Sequence, residues 1–341
     1  MRHTQSFCAA LLAAVLLVPS VQAQDRDDPI VKAVEQTIDG VVAIRVPRPG
    51  ERDSIGSGVI VDERGLIVTN RHVTLGKRFL NVRLNDGTEL KGETLFADYA
   101  LDLAVVKVEP GKALQALRLG SKDDLKLAEQ VIAIGSPFGY DGTVSVGRIS
   151  ALNRQIHMPN DAMMKGLIQH SAAINPGNSG GPLININKKV IGINVAMRDG
   201  AQNIAFAINA TTVTEYLKKN LNAKQIAGIE HGLQVTDKVE KTKQTVVVQN
   251  AAHDALKAGD ELVAVGSMDV ANSFDVERAL WQKKPGQQVE LRVCRQGKEL
   301  AVTVTLGSSP GAGQAAAVFF ETAAPPSRNA GQTNVTSANQ R

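Results

Sequence analysis

Asn175-Pro176-Gly177-Asn178-Ser179-Gly180-Gly181-Pro182 sets one serine inside a run of glycine, asparagine and proline. Glycine permits backbone angles that a side chain forbids and lets another chain approach closely, while proline stiffens the entry. Such a turn can aim the backbone N–H groups of Gly177 and Ser179 at one point, as stabilising an oxyanion requires. Ser179 therefore reads as a nucleophile, with an ordinary loop between strands as the competing reading. A serine hydroxyl needs a base to take its proton, and the base needs a third group to fix its tautomer. Of six histidines, His3 lies near the amino terminus, and His157, His231 and His253 sit in polar or loop contexts without a partner pattern. His170 ends a strand leading into the serine turn, whereas His72 follows the apolar run Ile67-Val68-Thr69. Asp102 stands at the mouth of the apolar run Leu103–Val106, with Asp98 as a competing carboxylate. His72, Asp102 and Ser179 come in the order His, Asp, Ser, one of the three orders in which such triads occur.

The elements that must hold these groups are short and β-rich. Val41–Val46, Gly58–Val61, Leu66–Thr69, Leu80–Leu84, Thr88–Leu95 and Leu103–Val108 form one set, with a hairpin signal at Asn85-Asp86-Gly87. Gln130–Ile134, Val144–Ile149, Leu167–Gln169, Pro182–Ile186, Val190–Val195 and Ile204–Ile208 form a second set. Many short strands at regular spacing predict barrels or sandwiches. Ile30, Val31, Val34 and Ile38 have helical spacing, and Thr212-Val213-Thr214-Glu215 has a capping-box pattern opening a second helix. Residues 220–229 read as a linker. A separate module follows, with Gly232-Leu233-Gln234-Val235, a strand Thr245–Val248, a helix Ala251–Lys257, a strand Glu261–Val265, a helix Phe274–Gln282 and paired strands Gln288–Cys294 and Glu299–Leu306 around Gln296-Gly297.

Composition narrows the class. Aromatic content of 4% leaves little for a base-stacking surface, and the lysines come as scattered pairs although the net charge is +4, so nucleic acid is a poor partner. Arg2 and His3, the apolar run Phe7–Val18, Pro19 and Val21-Gln22-Ala23 read as an export signal cleaved after Ala23. Removing it takes Cys8 and leaves Cys294 alone, so packed cores rather than a disulfide must hold the fold; Cys294 reads as a buried strand residue. No clustered His, Cys and carboxylate spacing predicts a metal site, no cofactor is called for, and the absence of a Gly-Lys-Ser/Thr phosphate loop agrees with ATP independence. After Gly307 the Ser, Pro, Gly, Ala and Gln content predicts disorder.

Gly56-Ser57-Gly58-Val59-Ile60-Val61, Thr69-Asn70-Arg71-His72-Val73, Asp102-Leu103-Ala104-Val105 and Gly177-Asn178-Ser179-Gly180-Gly181-Pro182-Leu183 resemble the successive signatures of the HtrA (DegP/DegS-like) serine proteases. Ile191-Gly192-Ile193-Asn194 and Phe206-Ala207-Ile208 match further segments, and Lys257-Ala258-Gly259-Asp260-Glu261-Leu262 resembles part of a single PDZ domain. The resemblance implies a mainly β chain: a chymotrypsin-like double β-barrel of twice six strands, then a PDZ-like α+β domain. The expected segments are 1–23 signal peptide, 24–40 amino-terminal segment, 41–219 protease domain, 220–229 linker, 230–307 PDZ-like domain and 308–341 tail. It further implies His72 as base, Asp102 as its orienting carboxylate, Ser179 as nucleophile, and the N–H groups of Gly177, Asn178 and Ser179 as oxyanion hole. Ile174 and Met197 would line an apolar primary pocket suited to small aliphatic side chains, and Gly232, Leu233, Gln234 and Val235 would form the PDZ carboxylate loop. The implied protein is a periplasmic, ATP-independent endopeptidase for unfolded or damaged proteins, a homotrimer that binds hydrophobic C-terminal peptides. A catalytically silent chaperone on the same fold is the alternative. The chain departs from the family pattern where His170-Ser171 replaces Thr-Asp, and where Ala205 and Asn209 replace Gly and Pro.

Overall fold

A computed structural model describes residues 28–135, 143–157, 163–175, 177–197, 203–241 and 243–309. The expected signal, the expected tail from residue 310 onward and Pro176 lie outside them. After a short helix α1 (Pro29–Glu35), the strands β1 (Val41–Val46), β2 (Ser54–Asp62), β3 (Leu66–Asn70), β4 (Phe79–Arg83), β5 (Glu89–Asp98) and β6 (Leu103–Val108) close into a barrel in the order β1-β2-β3-β6-β5-β4. Strands β7 (Gln130–Gly135), β8 (Thr143–His157), β9 (Met163–His170), β10 (Pro182–Asn185), β11 (Val190–Met197) and β12 (Ala205–Asn209) close a second barrel in the order β10-β11-β12-β9-β8-β7. The double barrel is the expected one.

Each barrel has its own interior, and a third apolar cluster lies outside them. Ile67 belongs to the cluster with Val42, Ile44 and Ile60, whereas its neighbours Leu66 and Val68 belong to the cluster with Val59, Leu103, Ile132 and Ile193. Residues adjacent in a strand point to opposite faces, so β3 is buried on both. This explains why these strands read as continuous apolar runs rather than alternating ones.

Helix α2 is the single turn Arg71–Thr74, and helix α3 (Ala210–Asn220) follows the second barrel. The cap of α3 is Asn209, whose Oδ1 accepts from Thr212 N–H at 3.0 Å, and not the expected Thr212. The expected linker contains a helix, α4 (Ala223–Ala227), whose Ala223 and Ile226 are fully buried and whose C-cap Gly228 is left-handed. Its polar composition masked two apolar anchors one turn apart.

The last module pairs β13 (Ile229–Glu230) with β20 (Gly307–Ser308) and forms a sheet from β14 (Leu233–Glu240), β15 (Lys243–Ala251), β16 (Glu261–Val265), β17 (Met268–Asp269), β18 (Gln288–Arg295) and β19 (Lys298–Thr305). Helix α5 (Ser273–Leu280) covers it, opened by a capping box between Asn272 and Asp275. The expected helix Ala251–Lys257 is absent: β15 runs through Ala251, and Ala252 N–H and the His253 ring bond back to the 231–232 backbone, so only a turn remains. Cys294 is half-buried and free.

Helix α5 also seats this module on the first barrel. Asp62, at the end of β2 and without exposed side-chain surface, accepts from Arg64 Nε and Nη2, both at 2.7 Å, and from Arg278 Nη1 at 3.1 Å. Burial opposes the Asp62 charge, but the two arginines outweigh it and hold the carboxyl below its usual range. Arg278 is shared with Asp275 at 2.7 Å, and Arg64 stacks 4.7 Å from the Trp281 ring centroid. Arg278→Met should lower unfolding free energy by about 2–3 kcal/mol by weakening the pairing of a buried charge, and Asp62→Leu, Arg64→Met and Arg278→Met together should recover most of it. Urea unfolding followed by Trp281 fluorescence reads both, and unchanged stability in the single variant would remove this role.

Candidate active site

The sequence between Thr69 and Leu103 builds the pair His72 and Asp102. β3 ends at Asn70, α2 turns once, and Leu75 closes it in the left-handed region. His72 is thereby lifted out of the barrel with its side chain 45% exposed, while Asp102 beneath it is 8% exposed. Asp102 Oδ2 lies 2.6 Å from His72 Nδ1, and its Oδ1 accepts from His72 N–H at 3.0 Å. Both oxygens thus serve one residue, which fixes ring position as well as tautomer: Nδ1 carries the proton and Nε2 remains a free acceptor. Asp102 itself has φ +51°, a left-handed conformation that aspartate tolerates better than most residues. Its C=O accepts from Arg71 N–H at 3.0 Å and Asn70 Nδ2 at 3.1 Å. Asp98 has a different task, accepting from the N–H groups of Ala100 and Leu101 at 2.9 Å each and so shaping the turn that delivers Asp102.

The serine turn comes from the second barrel and is fastened to the first. Ser57 N–H donates to Ser179 C=O at 2.8 Å, Ser57 Oγ donates to Gly177 C=O at 2.6 Å, and Thr69 Oγ1 donates to Ser57 C=O at 2.7 Å. A Cβ on Gly180, at φ +82°, would collide with Ser57 O and Thr69 Oγ1, so only glycine fits this approach. Behind the turn, Asn194 C=O accepts from Gly180 N–H and Asn194 N–H donates to Gly181 C=O. Asn178 N–H donates to Asn175 C=O at 3.0 Å. Among the described residues the N–H groups of Gly177 and Ser179 have no acceptor. Ser57, Thr69 and Asn194 therefore hold the turn, although sequence reasoning saw Ser57 and Asn194 only as parts of family motifs.

The other predicted residues sit as follows. Ile174 is 3% exposed and packs with Ile168, Leu183 and Ala205 inside the second barrel. Met197 lies in β11 and pairs with Ala205, which in turn pairs with His170. Gly232 has φ +66° and precedes β14, which begins at Leu233 and carries Gln234 and Val235. Gly232, Leu233 and Gln234, but not Val235, border a cavity of about 490 Å³ with His231, Glu277, Asn250 and Lys224.

His170 is fully buried, and neither ring nitrogen has a hydrogen-bond partner among the described residues. Burial drives its imidazole from 6.5 down to about 4, with Asn194 supporting the charged form only weakly. Above pH 6.5 the ring is neutral folded and unfolded. Between 6.5 and about 4 the unfolded chain takes up a proton that the folded chain refuses, so stability falls with pH and then levels. The loss amounts to roughly 3 kcal/mol at about 1.4 kcal/mol per pKa unit. His170→Leu should flatten this part of the acid limb in urea titrations across the window, and an unchanged acid limb would exclude it.

Comparison with known proteins agrees with both halves. The trypsin-like peptidase domain matches residues 56–193, and the PDZ domain matches residues 190–306. A probable periplasmic serine endoprotease, DegP-like, from Halomonas elongata is 40% identical over 76% of this chain, and one from Ectopseudomonas mendocina is 36% identical over 78%. The chain spans 58% and 59% of the length of these two relatives. The solved structure of the HtrA-type protease AlgW with tripeptide covers 82% of this chain and 96% of its own at 30% identity and a TM-score of 0.52. With a double barrel, one PDZ domain and these relatives, the chain belongs to the HtrA-type serine protease family.

Proposed function

We propose that the chain is a serine endopeptidase whose nucleophile is Ser179, whose general base is His72 and whose orienting carboxylate is Asp102. The observation that carries this reading is the two-point grip of Asp102 on His72, which leaves Nε2 without a partner among the described residues. The Val73 side chain and Ser179 C=O both crowd Gly56, which brings the two segments to one spot.

In the proposed cycle His72 Nε2 takes the Ser179 hydroxyl proton as Oγ attacks the scissile carbonyl. Asp102 stabilises the imidazolium without taking its proton. The N–H groups of Gly177 and Ser179 receive the developing oxyanion; Asn178 N–H, engaged with Asn175, serves the turn instead. Collapse breaks the C–N bond, and His72 returns the proton to the leaving amine. Water then repeats the sequence on the acyl-enzyme, releasing the acid and restoring the Ser179 hydroxyl. Ile174 and Met197 are assigned to an apolar primary pocket, where a charged side chain would be left unpaired. Val or Ala before the cut is the corresponding preference.

The substrates proposed are unfolded or damaged proteins of the periplasm, cut without ATP by a homotrimer. The periplasmic naming of the relatives supports this setting. The PDZ domain would hold a hydrophobic C-terminal peptide along β14 as an added strand. That AlgW was solved with a tripeptide and with a decapeptide supports peptide capture.

Fluorophosphonate labelling and casein digestion test the assignment. Ser179→Ala should lose both, and Asp102→Asn should keep the fold while lowering kcat by about 10⁴-fold, because the wrong tautomer is then favoured. Gly180→Ala should lose labelling through the collision with Ser57 and Thr69. Failure of the purified chain to label or cut casein, with or without hydrophobic C-terminal peptides, would sink the protease reading in favour of a silent chaperone. A monomeric mass in solution would remove the trimer.

A further inference from the structure

The cavity at the start of β14 contains an internal hydrogen-bond chain that the protease reading does not use. Leu233 N–H, the first amide after the left-handed Gly232, donates to His231 Nδ1 at 3.1 Å. His231 Nε2 faces Glu277 Oε1 at 3.4 Å, and Glu277 Oε2 accepts from Ala223 N–H at 2.8 Å. His253 Nε2 lies 3.0 Å from the His231 carbonyl oxygen and anchors the residue from the β15 side. The side chains of His231 and Glu277 are 14% and 11% exposed. At the far end of β14, Asp237 accepts from Ser273 N–H at 2.8 Å and Ser273 Oγ at 2.6 Å, tying the strand to the start of α5.

This chain fixes the tautomer. An Nδ1 that accepts from Leu233 carries no proton, so Nε2 bears it and turns toward Glu277. A neutral His231 is thus self-satisfied, and it occupies an N–H that a carboxylate at the Gly232–Val235 loop would need. Protonation reverses the situation. Nδ1–H then faces Leu233 N–H, two donors with no acceptor between them, and a carboxylate oxygen placed there would satisfy both.

We propose that His231 is a proton-operated gate and ligand residue of the PDZ domain: neutral, it holds the Leu233 N–H itself, and protonated, it joins that N–H in binding the terminal carboxylate of an extended peptide. The proposal rests on the peptide-binding role assigned above. One proton from the buffer goes to His231 Nδ1 for each peptide bound, and no covalent bond changes. Burial opposes the Glu277 charge, but His231, Ala223 N–H and Lys218 on α3 outweigh it and hold the carboxyl below its usual range. The other charged or titratable groups at the cavity are His253 and the exposed pair Lys224 and Glu230, 3.8 Å apart. That pair is internally balanced, so the switch in local charge falls to His231.

The test uses the full chain carrying Ser179→Ala, to prevent self-cleavage, with calorimetric titration of acetylated peptides that differ only in ending on Leu, Val, Ile or Phe. Each is measured as free acid and as C-terminal amide, at about pH 8 and about pH 6, on either side of the histidine range. The free acids should bind more tightly at the lower pH, by up to about tenfold per pH unit, with buffer-dependent heats reporting uptake of about one proton. The amides should bind weakly at both. His231→Asn, whose side-chain oxygen can hold Leu233 N–H but cannot take up a proton, should keep the fold, read by its circular dichroism spectrum, and bind the free acids without pH dependence. Free acids that bind equally at both pH values, or a pH dependence that survives in His231→Asn, would overturn the gate while leaving the peptide-binding role standing. Equal binding of acid and amide would overturn carboxylate recognition, and no binding of any peptide would overturn the gate and the peptide-binding role together.

Discussion

The two barrels must meet backbone to backbone, and most of the site depends on that contact. A base and a carboxylate carried by one barrel can activate a serine carried by the other only if the separation is fixed to a few tenths of an ångström. Ser57 supplies the fixing by donating twice, to Ser179 C=O and Gly177 C=O, while Thr69 holds Ser57 from behind. Gly180 is the corresponding space: its missing side chain is the gap through which β2 and β3 approach the turn. Asn178 N–H and Gly180 N–H donate to Asn175 C=O and Asn194 C=O, and Gly181 N–H donates to Asn178 C=O, whereas among the described residues the N–H groups of Gly177 and Ser179 have no acceptor. Buried backbone groups are nearly always paired, so an unpaired couple beside a serine marks a place where something else is meant to bind.

What could be read in advance follows from how local each signal is. The pairing of His72 with Asp102 was legible because their residue types are chemically restrictive and their order matches a known arrangement, and the barrels were legible from the spacing of apolar runs. The choice of Asp102 over Asp98 rested on the following Leu-Ala-Val; the structure adds the reason, since Asp98 is consumed by the turn at Ala100 and Leu101. The role of Ser57 could not be read, because its partners are 120 and more positions away and a serine between two glycines suggests only flexibility. For Asn178, which the family resemblance implies as a third oxyanion donor, the structure adds a bond from its N–H to Asn175 C=O. The helix expected over Ala251–Lys257 failed through tertiary override, because long-range bonds to residues 231 and 232 took the backbone that a helix would have used. The cap of α3 was expected at Thr212 and the stretch after Asn222 as linker, whereas Asn209 and Asn222 both serve as N-caps.

Helix α5 joins the two halves of the molecule, and its charged residues divide the work. Arg278, held by Asp275 of the same helix, engages Asp62 and Arg64 of the first barrel, and Glu277 turns to His231 and the start of α4. Phe274 and Trp281 meet edge to face at 5.6 Å and belong to the apolar cluster of the protease half, whereas Val276 and Leu280 belong to the PDZ core. A single short helix therefore contributes to two cores at once.

An ion network at such a seat has a particular physical consequence. Apolar residues of similar volume would hold the halves together about as strongly, since the desolvation of Asp62 and Arg278 offsets much of their attraction. An apolar seat, however, tolerates sliding and rotation, because its energy changes little with small displacements. Here Asp62 receives a fork from Arg64 and a single bond from Arg278, while Arg64 Nη2 also donates to Arg278 C=O at 3.2 Å. Any rotation of α5 that broke one of these bonds would leave a carboxylate with no exposed surface short of a partner. The network therefore fixes orientation more than it adds affinity. Through α5, the position of Glu277 beneath His231 is defined relative to the same barrel that carries His72 and Asp102.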